Sequence, residues 1–328
     1  MKTNKKIAVF GCKDTTRFLI DSLKSCLAID YIITISPKKN LKINIPDYCD
    51  LKSHYRKTKI QVYHVNRYDL KNIEDTSHIK KLNIDIAFVI GWQRLIPLEI
   101  LHSISIGCFG MHGSSENLPK GRGRSPMNWS LIEGREIFYT NIFKYEAGVD
   151  NGDILDTIKF SINNKDNAET MHFKNMLAMK TLIIKNLSDL ISNKIKLSLQ
   201  KKTKPTYYPK RNPEDSQIDW SNNITEIERF VRAVSKPFNG AFSYLKSNLI
   251  TIYSAQVFDY LEFKYEDRCN GEIVEVFNLD KFLIKCDGGC LLINSFECRV
   301  LPKVGDILKT NYSKLKIFKT NKNGHYDL

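Results

Sequence analysis

Apolar runs rich in Ile, Val and Phe recur along the N-terminal part of the chain, each bounded by polar or glycine-containing segments, as is typical of buried strands. The predicted strands are Lys6–Phe10, Tyr31–Ser36, Ile60–Val65, Ile84–Ile90, a run that begins at Ile106, and Phe138–Tyr145. Helical patterns lie between or after them, at Thr16–Cys26, Asp47–Lys57, Leu70–Leu82, Leu98–Ser103, Met127–Ile132 and Asn167–Ile191. Strands that alternate with helices predict an α/β domain with a mostly parallel sheet covered on both faces.

The pattern changes after a lysine-rich segment at Lys194–Lys204, which we interpret as a linker or exposed connection. An extended Pro-rich stretch is followed by a helical pattern at Thr225–Val234 and then by short β runs separated by Gly. These features predict a small antiparallel, barrel-like domain that resembles an OB-fold. We therefore expect an N-terminal domain over residues 1–195, a C-terminal domain over 205–312 and a tail over 313–328.

Composition narrows the class of protein. The 328 residues are 42% hydrophobic, but no apolar run approaches the roughly 18 residues that span a bilayer, and the N-terminus lacks a signal-peptide pattern. We expect a cytoplasmic protein without a membrane partner. The net charge of +14 comes mostly from lysines spread along the whole chain, which indicates compositional bias rather than a nucleic-acid-binding face.

Eight cysteines are scattered without a CxxC pair or a Cys/His cluster at zinc-ligand spacing. Free thiols in a reducing compartment and no metal site are expected.

The stretch from Ile106 to Trp129 contains the first candidate for chemistry. A predicted strand ends at His112 and is followed by a loop rich in Gly, Ser and Pro. In open α/β sheets, ligands bind beyond the carboxyl ends of the strands. Strand periodicity places Cys108, Gly110 and His112 on one face, and because Gly110 has no side chain we expect open space beside His112. The alternative is a histidine that only caps a strand.

A second candidate lies in the acidic, glycine-containing loop at Ala147–Leu155. Asp150 and His112 each follow a predicted strand, so both reach one rim of the sheet if the two strands run in the same direction. A histidine oriented by a carboxylate can move a proton near neutral pH. Acyl transfer to an amine needs such a pair and a donor for the oxyanion that forms. The alternative for Asp150 is an ordinary turn residue.

The order and spacing of several motifs resemble the formyltetrahydrofolate-dependent formyltransferases, which include methionyl-tRNA formyltransferase and the amino-sugar N-formyltransferases. The resemblance covers most of the chain and implies the family's Rossmann-like fold. The matching motifs are Asp85–Pro97, His112-Gly-Ser114 with Leu118-Pro119 and Arg122–Pro126, Asp150-Asn-Gly152-Asp153-Ile154, Tyr207–Arg211, Ile218–Trp220 and Pro237–Ala241.

The resemblance assigns His112 to the family's catalytic histidine, which helps to deprotonate the attacking amine or donates to the developing oxyanion, and Asp150 to the aspartate that pairs with it. The family's asparagine, two residues before the histidine, corresponds to Gly110 and is therefore missing. The chain also has two extra residues between His112 and Leu118-Pro119. Asn117, Ser114 or a backbone N–H of this longer loop are the candidates for the lost donor.

The resemblance also implies binding sites. Residues expected to hold N10-formyltetrahydrofolate, the formyl donor, are Ile90, Gly91, Trp92, Arg94, Leu95 and Ile96. Pro37–Ile45 lacks the basic, glycine-containing insertion of the enzymes that act on methionyl-tRNA, which favours an amino-sugar nucleotide as acceptor. Residues expected near this substrate and its diphosphate are Lys13, Arg17, Ser114, Arg122 and Arg124. The alternatives are solvated surface charges for the arginines and core packing for Trp92 and Trp129.

The main hypothesis is therefore transfer of a formyl group from N10-formyltetrahydrofolate to the primary amine of an amino-sugar nucleotide, with no metal. Alternatives are methionyl-tRNA as acceptor, a non-catalytic or weakly active folate- or nucleotide-binding relative because of Gly110, and hydrolysis of the formyl donor by water. Homodimer formation is left open.

Overall fold

A computed structural model of the chain describes residues 4–278, 280–322 and 325–326. The backbone divides into two compact units. The first contains Met1–Arg122, Tyr139–Phe160 and Phe173–Pro205, and the second contains Gly123–Phe138, Ser161–His172 and Thr206–Leu328. The predicted domain ranges remain predictions, and residues 1–3, 279, 323–324 and 327–328 lie outside the described residues.

Helices and short β-strands alternate through the first unit, whereas strands dominate the second. The helices are α1 (Asp14–Leu23), α2 (Pro37–Ile43), α3 (Leu51–His54), α4 (Ile73–Lys81), α5 (Leu98–Leu101), α6 (Pro126–Ile132), α7 (Ala168–Ser192) and α8 (Ile224–Val234), with a 3₁₀ helix at Pro213–Ser216. The strands are β1 (Ile7–Phe10), β2 (Tyr31–Thr34), β3 (Gln61–His64), β4 (Ile86–Val89), β5 (Gly107–Ser114), β6 (Arg122–Gly123), β7 (Ile137–Lys144), β8 (Ile154–Ser161), β9 (Tyr207–Tyr208), β10 (Ala241–Leu245), β11 (Asn248–Asp259), β12 (Ile273–Phe277), β13 (Lys281–Cys286), β14 (Gly289–Cys298) and β15 (Leu308–Lys309).

The first unit is built on a seven-stranded sheet in the order β3-β2-β1-β4-β5-β7-β8. The pairs from β3 to β5 are parallel, and β7 runs antiparallel to β5. This arrangement confirms the predicted Rossmann-like, mostly parallel sheet. It also places β5 at the boundary between the parallel strands and the antiparallel hairpin.

Alternating residues of the central strands enter two separate hydrophobic cores. Val9, Phe88 and Phe109 pack into the core on one face of the sheet, whereas Phe10 and Val89 pack into the core on the other. Strands buried on both faces need apolar side chains at successive positions, which explains the continuous apolar runs in the sequence.

The second unit contains a six-stranded sheet in the order β12-β13-β14-β11-β10-β15. Each of its strand pairs is antiparallel, and shifts of register along β11 and β14 mark bulges, which bend and twist strands. The sheet is curled and barrel-like, as predicted. Helix α8 begins with a capping box between Asn223 and Glu226.

The segment between β2 and β3 differs from the prediction. Instead of a helix at Asp47–Lys57, only α3 is helical, because Asp47 and Cys49 form backbone hydrogen bonds with Asp14 and Cys12. The sequence prediction also missed α2, in which the Ser36 side chain accepts the N–H of Lys39 and Pro37 occupies the first turn.

Among the described residues, no helix is long and apolar enough to cross a membrane.

The carboxylate of Asp75 connects α4 to β3 and the turn that follows. It is fully buried and accepts hydrogen bonds from the Tyr63 hydroxyl at 2.8 Å and from the N–H groups of Asn66 at 2.8 Å and Arg67 at 2.9 Å. Burial alone would raise the pKa of Asp75. The hydrogen bonds together have a larger effect in the opposite direction, so the pKa lies below its usual range. The ionised carboxylate therefore stabilises the fold above the pKa of the unfolded chain, about 3.9.

We expect Asp75→Asn to lower the free energy of unfolding by about 1–3 kcal/mol at neutral pH, because buried donors lose a charged acceptor. The contribution of Asp75 is lost as the pH falls through the folded-state pKa, so the variant should show a weaker acid dependence. Thermal melts recorded from neutral to acid pH measure both effects. Asp69→Asn is the control, since the partly exposed pair with Arg67 should contribute less than about 1 kcal/mol. Equal losses in the two variants contradict this prediction.

Candidate functional site

His112 lies inside β5 rather than at its end, because the strand continues to Ser114. Its backbone is paired opposite Asn141 of β7, and the residue is 7% exposed. The predicted strand end was therefore two residues too early. Pairing with β7 holds the histidine backbone within the sheet, so the ring projects from a rigid strand.

Asp150 lies in the loop between β7 and β8, and the condition under which the sequence would bring it to the same rim as His112, two strands that run in the same direction, is not met. The pairing of β7 with β5 is antiparallel, with Lys144 opposite Phe109. The loop then leads back along β5 and places the Asp150 carboxylate 3.3 Å from Nδ1 of His112. Both side chains are largely buried, at 8% and 17% exposed. The structure therefore brings the imidazole and the carboxylate together through a loop that follows an antiparallel strand, and not through two parallel strands.

The backbone of the Asp150 loop is tightly constrained. The Lys144 N–H donates to the Asp153 carbonyl at 2.9 Å and closes the hairpin. A Cβ at Gly152 would lie 1.6 Å from the Lys144 carbonyl oxygen, so only glycine fits this crossing. Asp150 itself adopts a left-handed conformation with φ 50°, which Asp tolerates better than most residues.

Gln200 connects this loop to the segment after His112. Its side-chain amide donates to the carbonyls of Asp150 and Gly152, each at 2.8 Å. Its oxygen accepts from Nη2 of Arg122 at 2.6 Å. One side chain therefore fixes both the carboxylate loop and a predicted substrate residue.

The sequence prediction missed Gln200 because it treated Lys194–Lys204 as a linker. Instead, Ser198 forms a two-way backbone bridge with Ile154 at 2.8 Å, and Ile195 and Leu197 pack against the hydrophobic core. The alternation of apolar and polar residues from Ile195 onward is the strand signal that identifies this segment.

The other ring nitrogen of His112 also has a partner. Nε2 lies 2.7 Å from the carbonyl oxygen of Gly121. A carbonyl only accepts, so Nε2 carries a proton in this arrangement, and Nδ1 faces the Asp150 carboxylate. The doubly protonated ring satisfies both contacts. His112 can act as a base at Nε2 only after the Gly121 contact opens and Nε2 releases its proton.

Gly121 is positioned by Ser114. Gly121 has φ 68°, and a Cβ there would lie 2.1 Å from the Ser114 Oγ. Ser114 is fully buried, and its hydroxyl accepts the N–H of Glu116 at 3.3 Å. In the described structure Ser114 supports the loop, and its contact with a substrate stays a prediction.

The space beside Gly110 is occupied, contrary to expectation. A Cβ at Gly110 would lie 1.8 Å from Cε1 and 2.5 Å from Cζ of Tyr145. The Tyr145 ring therefore fills the position that a side chain at residue 110 would take, on the face of β5 that carries His112. The sequence contained a bulky residue directly after β7, but nothing in it indicated that its ring crosses to β5.

The remaining loop residues occupy different environments. Asn117 is exposed, and its side-chain oxygen accepts the N–H of Leu118 at 3.0 Å. Arg122 is buried in the first unit, where it donates to Gln200. Arg124, in the second unit, is exposed and donates its N–H to the Tyr208 carbonyl at 2.9 Å. Among the described residues, Asn117 makes no hydrogen bond with His112 or Asp150.

The segment predicted to hold the pterin follows β4. The Thr16 hydroxyl donates to the Ile90 carbonyl at 2.6 Å, and a Cβ at Gly91 would lie 2.8 Å from that hydroxyl. The Trp92 ring is buried edge-on against Tyr68, which bears out core packing. Ile96 is also buried.

Arg94 and Leu95 are the exposed members of this segment, and the Arg94 guanidinium lies 5.1 Å from the centre of the Tyr68 ring.

Lys13 and Arg17 lie at the start of α1. Arg17 donates to Asp14 at 2.7 Å and lies 3.5 Å from Asp21. The hydrogen bond to Asp14 raises the pKa of Arg17. Two carboxylates thus partly neutralise Arg17, whereas Lys13 is half-buried beside Gly91.

Within the part of the chain that the structure describes, no cluster of three or more His, Cys, Asp or Glu side chains could hold a metal ion.

Two family models match the chain: the formyl transferase model over residues 5–187 and the formyl transferase C-terminal domain over residues 210–300. The bifunctional polymyxin resistance protein ArnA of Wigglesworthia glossinidia brevipalpis is 30% identical over 260 residues. These residues are 78% of this chain but only 38% of that protein, so the chain spans less than half of the relative's length.

Solved structures share the fold. An N-formyltransferase from Helicobacter canadensis in complex with folinic acid and dTDP-3-aminofucose has a TM-score of 0.64 at 17% identity, covering 89% of this chain and 100% of that one. A methionyl-tRNA formyltransferase from Clostridium thermocellum has a TM-score of 0.55 at 16% identity, covering 91% and 100%. At these identities the likeness concerns the fold alone.

We expect Gln200→Ala to loosen the Asp150 loop, because two backbone carbonyls lose their donor. Hydrogen–deuterium exchange of a peptide that covers residues 145–153 should become faster, and the free energy of unfolding should fall by about 1–2 kcal/mol. Gln61→Ala, at an exposed position of β3, is the matched control and should change neither quantity. Unchanged exchange in the Gln200 variant contradicts the role of Gln200.

Proposed function

Since the chain belongs to the formyl transferase family, we propose that it moves a formyl group from N10-formyltetrahydrofolate to the primary amine of an amino-sugar nucleotide. The contact between His112 and Asp150 at 3.3 Å is the observation that carries this proposal. It supplies a proton-transfer group held by a rigid strand and a carboxylate that orients it.

The chemistry requires the amine to lose a proton as its nitrogen attacks the formyl carbon. An ammonium has no lone pair, so the acceptor reacts as the neutral amine. Once the Gly121 carbonyl is displaced and Nε2 has released its own proton to solvent, His112 takes up the amine proton at Nε2, and Asp150 stabilises the imidazolium that forms. The bond between the formyl carbon and N10 then breaks, and N10 takes up a proton.

The segment at 90–96 is suited to the pterin of N10-formyltetrahydrofolate, which is flat and polar. Nε1 of Trp92 is buried without a hydrogen-bond partner among the described residues. A buried N–H without an acceptor is costly, so an acceptor atom on a bound ligand would stabilise this site. The Trp92 ring packs in the core, so the indole N–H and the backbone of residues 90–96, rather than the ring face, are the groups that would meet the pterin.

Two features support an amino-sugar nucleotide as acceptor. The segment after β2 is the short helix α2, with no longer basic insertion. Lys13 is a cation beside the glycine turn that follows β4, a position suited to binding a diphosphate. The structure from Helicobacter canadensis, which shares this fold, holds a dTDP-amino sugar.

A methionyl-tRNA acceptor is the second candidate. The methionyl-tRNA formyltransferase from Clostridium thermocellum also shares this fold.

We expect His112→Ala to lower kcat by about 10²–10⁴-fold, because the general acid–base group is removed. Asp150→Asn should also lower kcat, because it removes the charge that stabilises the imidazolium. His102→Ala, at an exposed position after α5, is the control and should retain full activity. Release of tetrahydrofolate measures the rate. Turnover that survives in His112→Ala excludes this histidine from catalysis.

The acceptor is tested by mixing the protein with N10-formyltetrahydrofolate and either a set of dTDP-amino sugars or methionyl-tRNA. We expect a mass increase of one formyl group in a sugar nucleotide and none in the tRNA, because the chain has no basic insertion. Formylation of the tRNA alone would reject the proposed acceptor. Donor hydrolysis without any acceptor product would indicate a hydrolase, and folate binding without turnover would indicate a non-catalytic protein.

A further inference from the structure

Formyl transfer passes through a tetrahedral species whose former carbonyl oxygen carries negative charge, and a preorganised donor near that oxygen accelerates the reaction. In the proposed mechanism Nδ1 of His112 faces Asp150 and Nε2 takes up the amine proton, so neither ring nitrogen is assigned to this oxygen. Gly110, on the same face of β5, has no side chain to supply it.

The group nearest to the vacant side-chain position of Gly110 is the phenol of Tyr145. The two closest ring atoms are Cε1 and Cζ, the carbon that bears the hydroxyl. Side chains at residues 110 and 112 project from the same face of the strand. The Tyr145 hydroxyl is therefore on the face that carries the His112 ring.

The orientation of Tyr145 is fixed from two sides. Its backbone N–H donates to the Cys108 carbonyl at 2.7 Å. Its ring stacks on Phe143, with centres 5.3 Å apart and an interplanar angle of 24°. A ring held in this way can present its hydroxyl without a large loss of side-chain entropy on binding.

The Tyr145 hydroxyl has no hydrogen-bond partner among the residues that the structure describes, and the side chain is half-buried. Most tyrosine hydroxyls in this part of the chain have structural partners: Tyr55 donates to Asp21, and Tyr63 donates to Asp75. Tyr145 therefore keeps a donor available for a ligand.

Burial raises the pKa of the Tyr145 hydroxyl, and the nearby Asp150 carboxylate raises it further. The phenol thus remains protonated at neutral pH and acts as a hydrogen-bond donor rather than as a base. Asp150 also contacts His112, so the same carboxylate lies close to both groups.

We propose that the Tyr145 hydroxyl donates the hydrogen bond that stabilises the oxyanion during formyl transfer. This inference rests on the proposed function. The phenol keeps its proton throughout: the amine nitrogen bonds to the formyl carbon, the carbonyl electron pair moves to oxygen, and it returns as the bond to N10 breaks.

The two side chains expected from the sequence to replace the missing donor are less favourable. Asn117 is exposed in the loop, so water competes for its side-chain N–H groups, while its side-chain oxygen accepts the N–H of Leu118. Ser114 is fully buried beneath Gly121, with its hydroxyl bound to the N–H of Glu116.

Tyr145→Phe removes only the hydroxyl. We expect kcat to fall by about 10²–10³-fold with little change in KM, because the donor acts on the transition state. The melting temperature should not fall, because the hydroxyl has no partner among the described residues. Tyr63→Phe is the matched control: it should lower the melting temperature through loss of the Asp75 contact and leave kcat unchanged.

A second variant restores a donor from the strand. Gly110→Asn alone should destabilise the protein, because the new Cβ meets the Tyr145 ring. Gly110→Asn combined with Tyr145→Ala removes that collision, and we expect its kcat to exceed that of Tyr145→Ala by at least about tenfold.

The outcomes separate the two proposals. Full kcat in Tyr145→Phe, beside an inactive His112→Ala, overturns the role of Tyr145 and leaves formyl transfer intact. A wild-type protein that formylates no amine overturns both proposals.

Discussion

The hairpin loop that leads back along β5 is the constraint on which the site depends. Its closure between Lys144 and Asp153, and the close crossing at Gly152, fix where Asp150 can be. In the described part of the chain, Asp150 is the carboxylate that contacts His112. The position of the Asp150 carboxylate, on which the proposed chemistry depends, is therefore determined by the backbone of this loop rather than by its side chains.

The parallel core of the fold was predictable because its strands are buried on both faces. Continuous apolar runs such as Ile7–Phe10 and Ile86–Val89 have no other explanation in a chain of alternating strands and helices. The barrel-like second unit was predictable from short strands separated by glycines. Helix α2 was not, because its sequence has no apolar face and the structure buries none of its residues. Capping by Ser36 and Pro37 determines that helix.

The candidate site was only partly predictable. His112 and Asp150 could be identified from their motifs, but their meeting depends on the direction of β7, which an amphipathic pattern does not encode. Gln200 and Tyr145 were missed for a related reason. The role of each depends on a contact with a residue distant in sequence, and local periodicity carries no information about such contacts. The roles of Gln200 and Tyr145 are therefore determined by long-range contacts rather than by residue type.

The packing of Tyr145 against Gly110 has a consequence for how such sequences diverge. The sizes of the two residues are coupled: a larger residue at 110 collides with the ring, and a smaller residue at 145 leaves a hole in the strand surface. A chain that changes the size of only one of the two residues is therefore expected to be less stable than a chain that changes both. A sequence search that requires asparagine at position 110 would miss chains in which an aromatic ring fills that space.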